Sequence, residues 1–446
     1  MVSDEKLEAI LRRATRTEED VIRDAPNILT SHNEKMFMLK DFSSELWKIF
    51  NKTDYRDDVR KHLDIKKAED ISLISERFSI FMARQVQYYL AKNIIPNSNL
   101  ITSYSESGQR EAPSYITFQD RNNKRVVSVD NTYLFTKKPF PHIVYLDVGN
   151  NSIMFQIYFN TKNKEDAEKY FGEIKESVAK AELFKGALLQ VASSGSVQFL
   201  YDIKIPTLYL KRSVREEIEL NFDFVIKNKE RLQERKLPWR RGILLYGYPG
   251  TGKTQLCKQM AFRAVEQGIT TIWVTSKSIH DTDDIAAIFT FARNCSPSFL
   301  IFEDIDLFAG ARDEYEGVRN LLGEFLSQLD GVAENQGIFT TATTNRLFVL
   351  DKAISDRPVR FDAKIELDYN DFDSKKALVE LFNTAKLSID STIIASQMTN
   401  ITPAHVQELL IKSSLISLQS GKQLDTNDVL KIWNRMRPST GGTEVT

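Results

Sequence analysis

The segment Gly247-Tyr-Pro-Gly-Thr-Gly-Lys253-Thr254 follows the apolar run Ile243–Tyr246 and precedes a helical stretch. Glycines at 247, 250 and 252 let backbone N–H groups approach an anion without a Cβ in the way. A helix beginning near Lys253 turns the positive end of its dipole toward the same place. The Lys253 ammonium can reach outer phosphates and the Thr254 hydroxyl can ligate Mg²⁺. Pro249, Thr251 and Gln255 complete the stretch that such a loop presents to a nucleotide. Strand, glycine-rich turn and helix in this order imply a nucleoside triphosphate site.

Fifty residues beyond Lys253 comes a second group of chemically capable side chains, Glu303-Asp304-Ile-Asp306, after the apolar run Phe299–Phe302. Such a run suits a parallel strand buried on both faces. Carboxylates at its carboxyl end lie where open α/β sheets bind ligands. One carboxylate there can complete a Mg²⁺ shell, and its neighbour can orient and deprotonate an attacking water. The plainer reading, a solvated acidic turn, loses ground once a phosphate loop precedes it. A further strand, Ile338–Thr343, leads to Asn345, whose amide can bond a γ-phosphate or the water, or can merely start a turn. Arg357 and Arg360 follow. Either can stabilise transition-state charge from a neighbouring subunit, as an arginine finger does, or form a surface salt bridge.

The elements that must hold these groups follow from periodicity. Residues 1 to about 100 read as helices, from Leu7, Ile10, Leu11 and Ala14 and again from Ile71, Ile74, Phe78, Phe81, Met82 and Val86. Short β-type runs succeed them: Tyr115–Phe118, Arg125–Val129, Ile143–Val148 and Ile153–Phe159. A helical stretch from Lys164 to Ala181 and two more runs, Ala187–Val191 and Val197–Leu200, close a small α+β domain in which no motif points to chemistry. From Gly242 to Leu367 apolar runs alternate with helical segments, which predicts βαβ units on a parallel sheet. The remainder reads as helical, with Thr402 and Pro403 opening a helix as N-cap and first residue. The expected division is a helical region 1–105, an α+β domain 110–204, a large α/β subdomain 205–368, a helical lid 369–438 and a tail 439–446.

Composition narrows the function classes. With 446 residues, 42% hydrophobic and 27% charged, the chain is an ordinary globular protein. A net charge of −1 gives no footprint for nucleic acid or anionic membrane. The basic cluster Arg235, Lys236, Arg240 and Arg241 is interspersed with Glu230 and Glu234 and reads as a solvated helix end. Two cysteines, Cys257 and Cys295, make no disulfide framework, and His280 and His405 read as surface histidines. The acidic N-terminus is unlike a secretory or transit signal. The most apolar stretch, Ile71–Leu90, is interrupted by Glu76, Arg77, Arg84 and Gln87, so no membrane span and a cytoplasmic home are expected.

Taken together the motifs resemble the AAA-type ATPases. Residues 247–254 match Walker A, 299–304 Walker B and Asn345 sensor 1, with Leu329-Asp330-Gly331-Val332 and Leu350-Asp351-Lys-Ala353 in their expected order. The resemblance covers about 207–436. Within the family, the run from Leu237 to Gly247 and the Glu-Asp-Ile-Asp form of Walker B are most similar to the branch containing the mitochondrial complex III assembly translocase. The resemblance implies a P-loop NTPase fold with a helical lid and ATP with Mg²⁺ as cofactors. It also implies a homo-oligomeric ring, hexamer or heptamer, that hydrolyses ATP to remodel or translocate a protein partner. By register Glu303 takes the metal-side position and Asp304 the water-activating one, the reverse of the family's common Asp-Glu order. Other departures are the absence of a sensor 2 arginine and of an aromatic–aliphatic–glycine triplet in Ser276–Asp284, where threading members carry a pore loop. The same motifs also suit a nucleic-acid motor or loader, or a nucleotide-gated scaffold with slow turnover.

Overall fold

The computed structural model describes residues 30–31, 34–35, 54–105, 108–149, 152–192, 196–201, 204–308, 321–330, 335–347, 361–368, 370–399 and 401–436. They fall into two compact units, divided between Leu183 and Phe184.

The N-terminal unit is built on a six-stranded antiparallel sheet. In chain order its elements are α1 (Asp54–Leu63), β1 (Ile71–Ser79), α2 (Ala83–Tyr89), β2 (Ser98–Tyr104), β3 (Arg110–Glu111), β4 (Ser114–Gln119), β5 (Arg125–Asp130), β6 (Thr132–Thr136), β7 (His142–Val148), β8 (Ser152–Asn160) and α3 (Lys164–Ala179). The sheet order is β1-β8-β7-β6-β2-β3, while β4 and β5 form a separate hairpin. Helix α1 buries Val59 and Leu63 against Ile71, Phe135 and Ile143, and α3 packs on β1 and β8, with Phe171 beside Phe155.

One expectation is corrected here. Residues 71–79, read as the start of a long helix, are a strand paired along its whole length with β8. The apolar positions Ile71, Ile74 and Phe78 fit a helical period, yet burial runs without a break from Leu73 to Glu76, as a strand covered on both faces requires. Glu76, which interrupts the apolar stretch in sequence, is buried and meets Lys175 of α3 at 3.3 Å.

The C-terminal unit carries a seven-stranded sheet. Its elements are β9 (Leu188–Val191), β10 (Val197–Phe199), α4 (Arg212–Ile218), α5 (Lys229–Glu234), β11 (Arg241–Tyr246), α6 (Lys253–Glu266), β12 (Thr270–Val274), α7 (Thr282–Asn294), β13 (Ser298–Phe302), α8 (Leu321–Asp330), β14 (Ile338–Thr344) and β15 (Ala363–Glu366). The order is β10-β9-β12-β13-β14-β11-β15, parallel throughout except for β10. Strands β9 and β10 correct a second expectation: they do not close the small N-terminal domain but extend this sheet, β9 lying parallel to β12. Every residue of β12, β13 and β14 is buried, which explains why, Ser298 apart, their sequences are apolar or β-branched.

Four further helices, α9 (Phe372–Phe382), α10 (Ser391–Gln397), α11 (Pro403–Ser420) and α12 (Thr426–Met436), share a second hydrophobic core. Thr402 opens α11 in a reciprocal cap with His405, so that histidine serves the helix terminus, and Pro403 occupies the first turn as expected. Cys257 and Cys295 are buried and form no disulfide.

Candidate functional site

In the parallel sheet, strands β11, β12, β13 and β14 end together: Tyr246 pairs with Thr344, and Phe302 with Ala342 and Val274. The residues that follow those ends are Gly247, Glu303 and Asn345, so three separate motifs converge on one edge. Gly247 has φ 143°, and a Cβ there would lie 2.1 Å from the Leu367 carbonyl oxygen. Gly250, at φ 79°, sits against the lid: a Cβ would meet the Ala404 Cβ at 2.8 Å and Thr402 Oγ1 at 3.0 Å. Gly252, at φ 101°, caps α6 without a side chain, leaving first-turn N–H groups for an anion. Lys253 is buried, and its Nζ donates to the carbonyls of Gly247 at 2.8 Å and Tyr248 at 2.9 Å. Burial lowers its pKa, against the opposing pull of Asp304 and Asp306.

The carboxylates divide the work between two neighbours. Glu303 accepts from Thr254 Oγ1 at 2.7 Å through Oε1 and from the Trp273 indole N–H at 2.9 Å through Oε2. Asp304 has φ 54°, a left-handed conformation in which Asp is enriched over longer or branched residues. Its N–H donates to Thr343 Oγ1 at 3.0 Å, and its carboxylate accepts from Asn345 Nδ2 at 3.2 Å. Desolvation raises the Asp304 pKa first, then the charges of Asp306 and Glu303, while Lys253 and Asn345 act the other way. Asp306 ties the edge together, accepting from Thr344 Oγ1 at 2.9 Å and the Asn345 N–H at 3.3 Å.

A cavity of about 660 Å³ adjoins these groups. Residues 249–255, Asp304 and Asn345, all anticipated from sequence, line it. Gly247 and Glu303 stand one contact back, through Lys253 and Thr254. Arg357 and Arg360 lie outside the described residues, as do Leu350–Ala353, Gly331 and Val332. Sequence reasoning missed the other wall, made by residues 206–210 and by Leu378, Phe382 and Gln407 of the lid. The 206–210 segment is held by Gln259 Nε2 on the Pro206 carbonyl at 2.8 Å. Leu208 and Leu210 join the sheet core and Tyr209 the lid core.

The residues fit a magnesium nucleotide. Thr254 and Glu303 place two hard oxygen donors side by side, and at Gly247 and Gly250 the loop folds so close to the Leu367 carbonyl and the Ala404 side chain that a Cβ would collide with them. Among the described residues no group of three or more His, Cys, Asp or Glu side chains is set to hold a metal by itself.

Fold and site together define a P-loop nucleotide-binding module with a helical lid. Residues 243–369 match the family described as "ATPase family associated with various cellular activities (AAA)", and this part of the chain is an AAA ATPase domain. Among curated relatives, the proteasome-activating nucleotidase of Sulfurisphaera tokodaii is 30% identical over 226 residues, 47% of this chain and 55% of that protein. The ATP-dependent zinc metalloprotease FtsH of Mycoplasmoides gallisepticum is 29% identical over 197 residues, 41% of this chain and 25% of that one. The cell division cycle protein 48 homolog of Archaeoglobus fulgidus is 30% identical over 200 residues, 44% and 26% respectively. The chain thus spans from 25% to 55% of the length of these relatives. No helix among the described residues is long and apolar enough to cross a membrane.

Proposed function

We propose that the chain binds ATP with Mg²⁺, hydrolyses it, and uses the cycle to remodel a protein partner from within a homo-oligomeric ring. The observation that carries this reading is the paired arrangement at the strand ends: Thr254 with Glu303 on one side, Asp304 with Asn345 on the other, and Lys253 beneath. Backbone N–H groups of the loop and the Lys253 ammonium hold the phosphates, and Thr254 and Glu303 hold the cation. Bound there, a divalent cation supplies charge neutralisation to the phosphates. Asp304 accepts the proton of the attacking water as the bond to the leaving ADP oxygen breaks, and Asn345 keeps that carboxylate aimed. The apolar lid wall around Leu378 and Phe382 takes the base, and contact between Gly250 and the start of α11 transmits the occupied loop to the lid.

A protein partner is favoured over nucleic acid by the net charge of −1 and by the printed names of the relatives, a protease and a proteasome-activating nucleotidase among them. Each site would be completed by Arg357 or Arg360 of the adjacent copy. The test is steady-state phosphate release as a function of protein concentration, in wild type, Arg357→Ala and Arg360→Ala. Specific activity that rises with concentration and collapses in a variant is expected. Bound ATP with flat, negligible release would favour the slow scaffold, for which the short reach of Asp304 speaks.

A further inference from the structure

Glutamate at the cation-side position brings one more rotatable bond than aspartate, and a carboxylate on a longer stem needs a second anchor to face one way. The structure supplies it. Trp273 is buried in β12, directly across from Ile301 of β13, and its ring belongs to the core that also holds Leu256, Cys257 and Met260 of α6. Its N–H, a donor only, meets Glu303 Oε2 at 2.9 Å, so Oε1 is the oxygen turned to Thr254 at 2.7 Å. The Glu303 N–H is fixed as well, on the Val274 carbonyl at 3.1 Å.

We propose that Trp273 is the positioning residue that lets a glutamate serve at the cation-side place, by holding one carboxylate oxygen so that the other joins Thr254 in receiving the divalent ion. An aspartate at 303 would withdraw its carboxylate by about one C–C bond, roughly 1.5 Å, and lose the indole. Trp273 and Glu303 therefore form a unit, and Trp273 has a role only while residue 303 is Glu. This rests on the magnesium-nucleotide reading above.

The experiment titrates Mn²⁺, followed by its electron paramagnetic resonance, into protein saturated with ADP. Wild type, Trp273→Phe, Glu303→Asp and the double variant are compared, with ADP affinity in EDTA as a measure of the intact loop. Loss of an outer-shell partner weakens metal affinity by about 10–100-fold, which is the expected effect of Trp273→Phe on a Glu303 background. On the Glu303→Asp background the same change should cost less than about threefold, because coupled residues are not additive. Equal losses on both backgrounds, or none on either, overturn the proposal. If Trp273→Phe also loses ADP binding in EDTA, benzothienylalanine at 273 keeps the ring volume without the N–H. Weakened Mn²⁺ binding there supports the proposal, and wild-type affinity overturns it. Wild-type protein that shows no ADP-dependent Mn²⁺ binding would instead sink the magnesium-nucleotide reading.

Discussion

Both units of this chain bury ionisable and polar groups in quantity, but they do opposite things with them. In the N-terminal unit several are paired or packed in place. Glu76 meets Lys175, and Tyr55, Tyr104 and Tyr133 pack edge to edge. His142 has both ring nitrogens occupied, by the Phe140 carbonyl at 2.8 Å and the Thr136 hydroxyl at 2.7 Å. In the AAA unit the carboxylates gather at the carboxyl ends of parallel strands, beside a cavity, where Glu303 and Asp304 press on each other. An antiparallel sheet satisfies polar side chains along its length, whereas a parallel sheet delivers them to one edge, and only the second arrangement leaves charge available to a ligand.

The largest effect that could break this contrast is at Asp304. Asparagine tolerates the left-handed backbone equally well, so Asp304→Asn should keep the fold and ATP binding while turnover falls by about 10²–10⁴-fold. Phosphate release and equilibrium nucleotide binding on the same preparation check both halves. Unchanged turnover would mean that the raised carboxyl pKa is structural, like the buried groups of the other unit.

The next effect is one of pH on the N-terminal unit. Burial first, and His62 nearby, push the His142 pKa down to about 4, against the pull of the Phe140 carbonyl. A histidine whose folded pKa lies below its unfolded value of about 6.5 leaves the unfolded chain holding more protons between the two. Its contribution to stability is therefore complete above about pH 6.5, and lost as the pH falls toward 4, by about 3 kcal/mol at most. Urea midpoints across that window should fall in the wild type and fall less steeply in His142→Gln, where His62, also pushed down by burial, still titrates.

Smaller again is the Glu76–Lys175 pair. Lys175→Met leaves a buried carboxylate short of a cation and should cost about 1–3 kcal/mol, since the lysine side is partly solvated. Joint replacement, Glu76→Gln with Lys175→Met, should recover part of it, and phosphate release per folded molecule should not move. Loss of turnover in the single variant would show that the first unit's charges serve the second unit's chemistry.

How much of this was legible depends on how local each code is. Gly247, Gly250, Gly252, Lys253 and Thr254 speak through spacing alone, because the turn they make is a property of eight consecutive residues. Glu303 was found because it directly follows an apolar run, and Asn345 because it stands just beyond the β-type run Ile338–Thr343, each run marking a strand end. Trp273 and Thr343 were not, since their partners are set by the register of β12 against β13 and of β14 against β13. The lid wall was hidden for the same reason: Leu378 and Phe382 look like any apolar helix face until α9 is folded over the loop. Strand β1 was misread because Ile71, Ile74 and Phe78 satisfy a helical period by coincidence, and its pairing with a strand more than seventy residues away has no local signature.

The finest comparison lies within one strand. Thr341 and Thr343 of β14 are both buried and share a face, two residues apart. The Thr343 hydroxyl accepts from the Asp304 N–H, whereas the Thr341 hydroxyl finds no partner among the described residues. Removing a hydroxyl that makes no bond relieves a desolvation cost, while removing one that receives a backbone N–H leaves that N–H orphaned, by about 1 kcal/mol in each direction. Thr341→Val should accordingly hold or raise the melting temperature. Thr343→Val should lower it slightly and reduce turnover by less than about tenfold, because the strained Asp304 backbone loses its anchor. Calorimetry and phosphate release on the two variants side by side read both signs. If Thr343→Val proved as silent as Thr341→Val, Asp304 would be held by Asn345 and the loop alone, and the parallel edge would owe its order to fewer contacts than it displays.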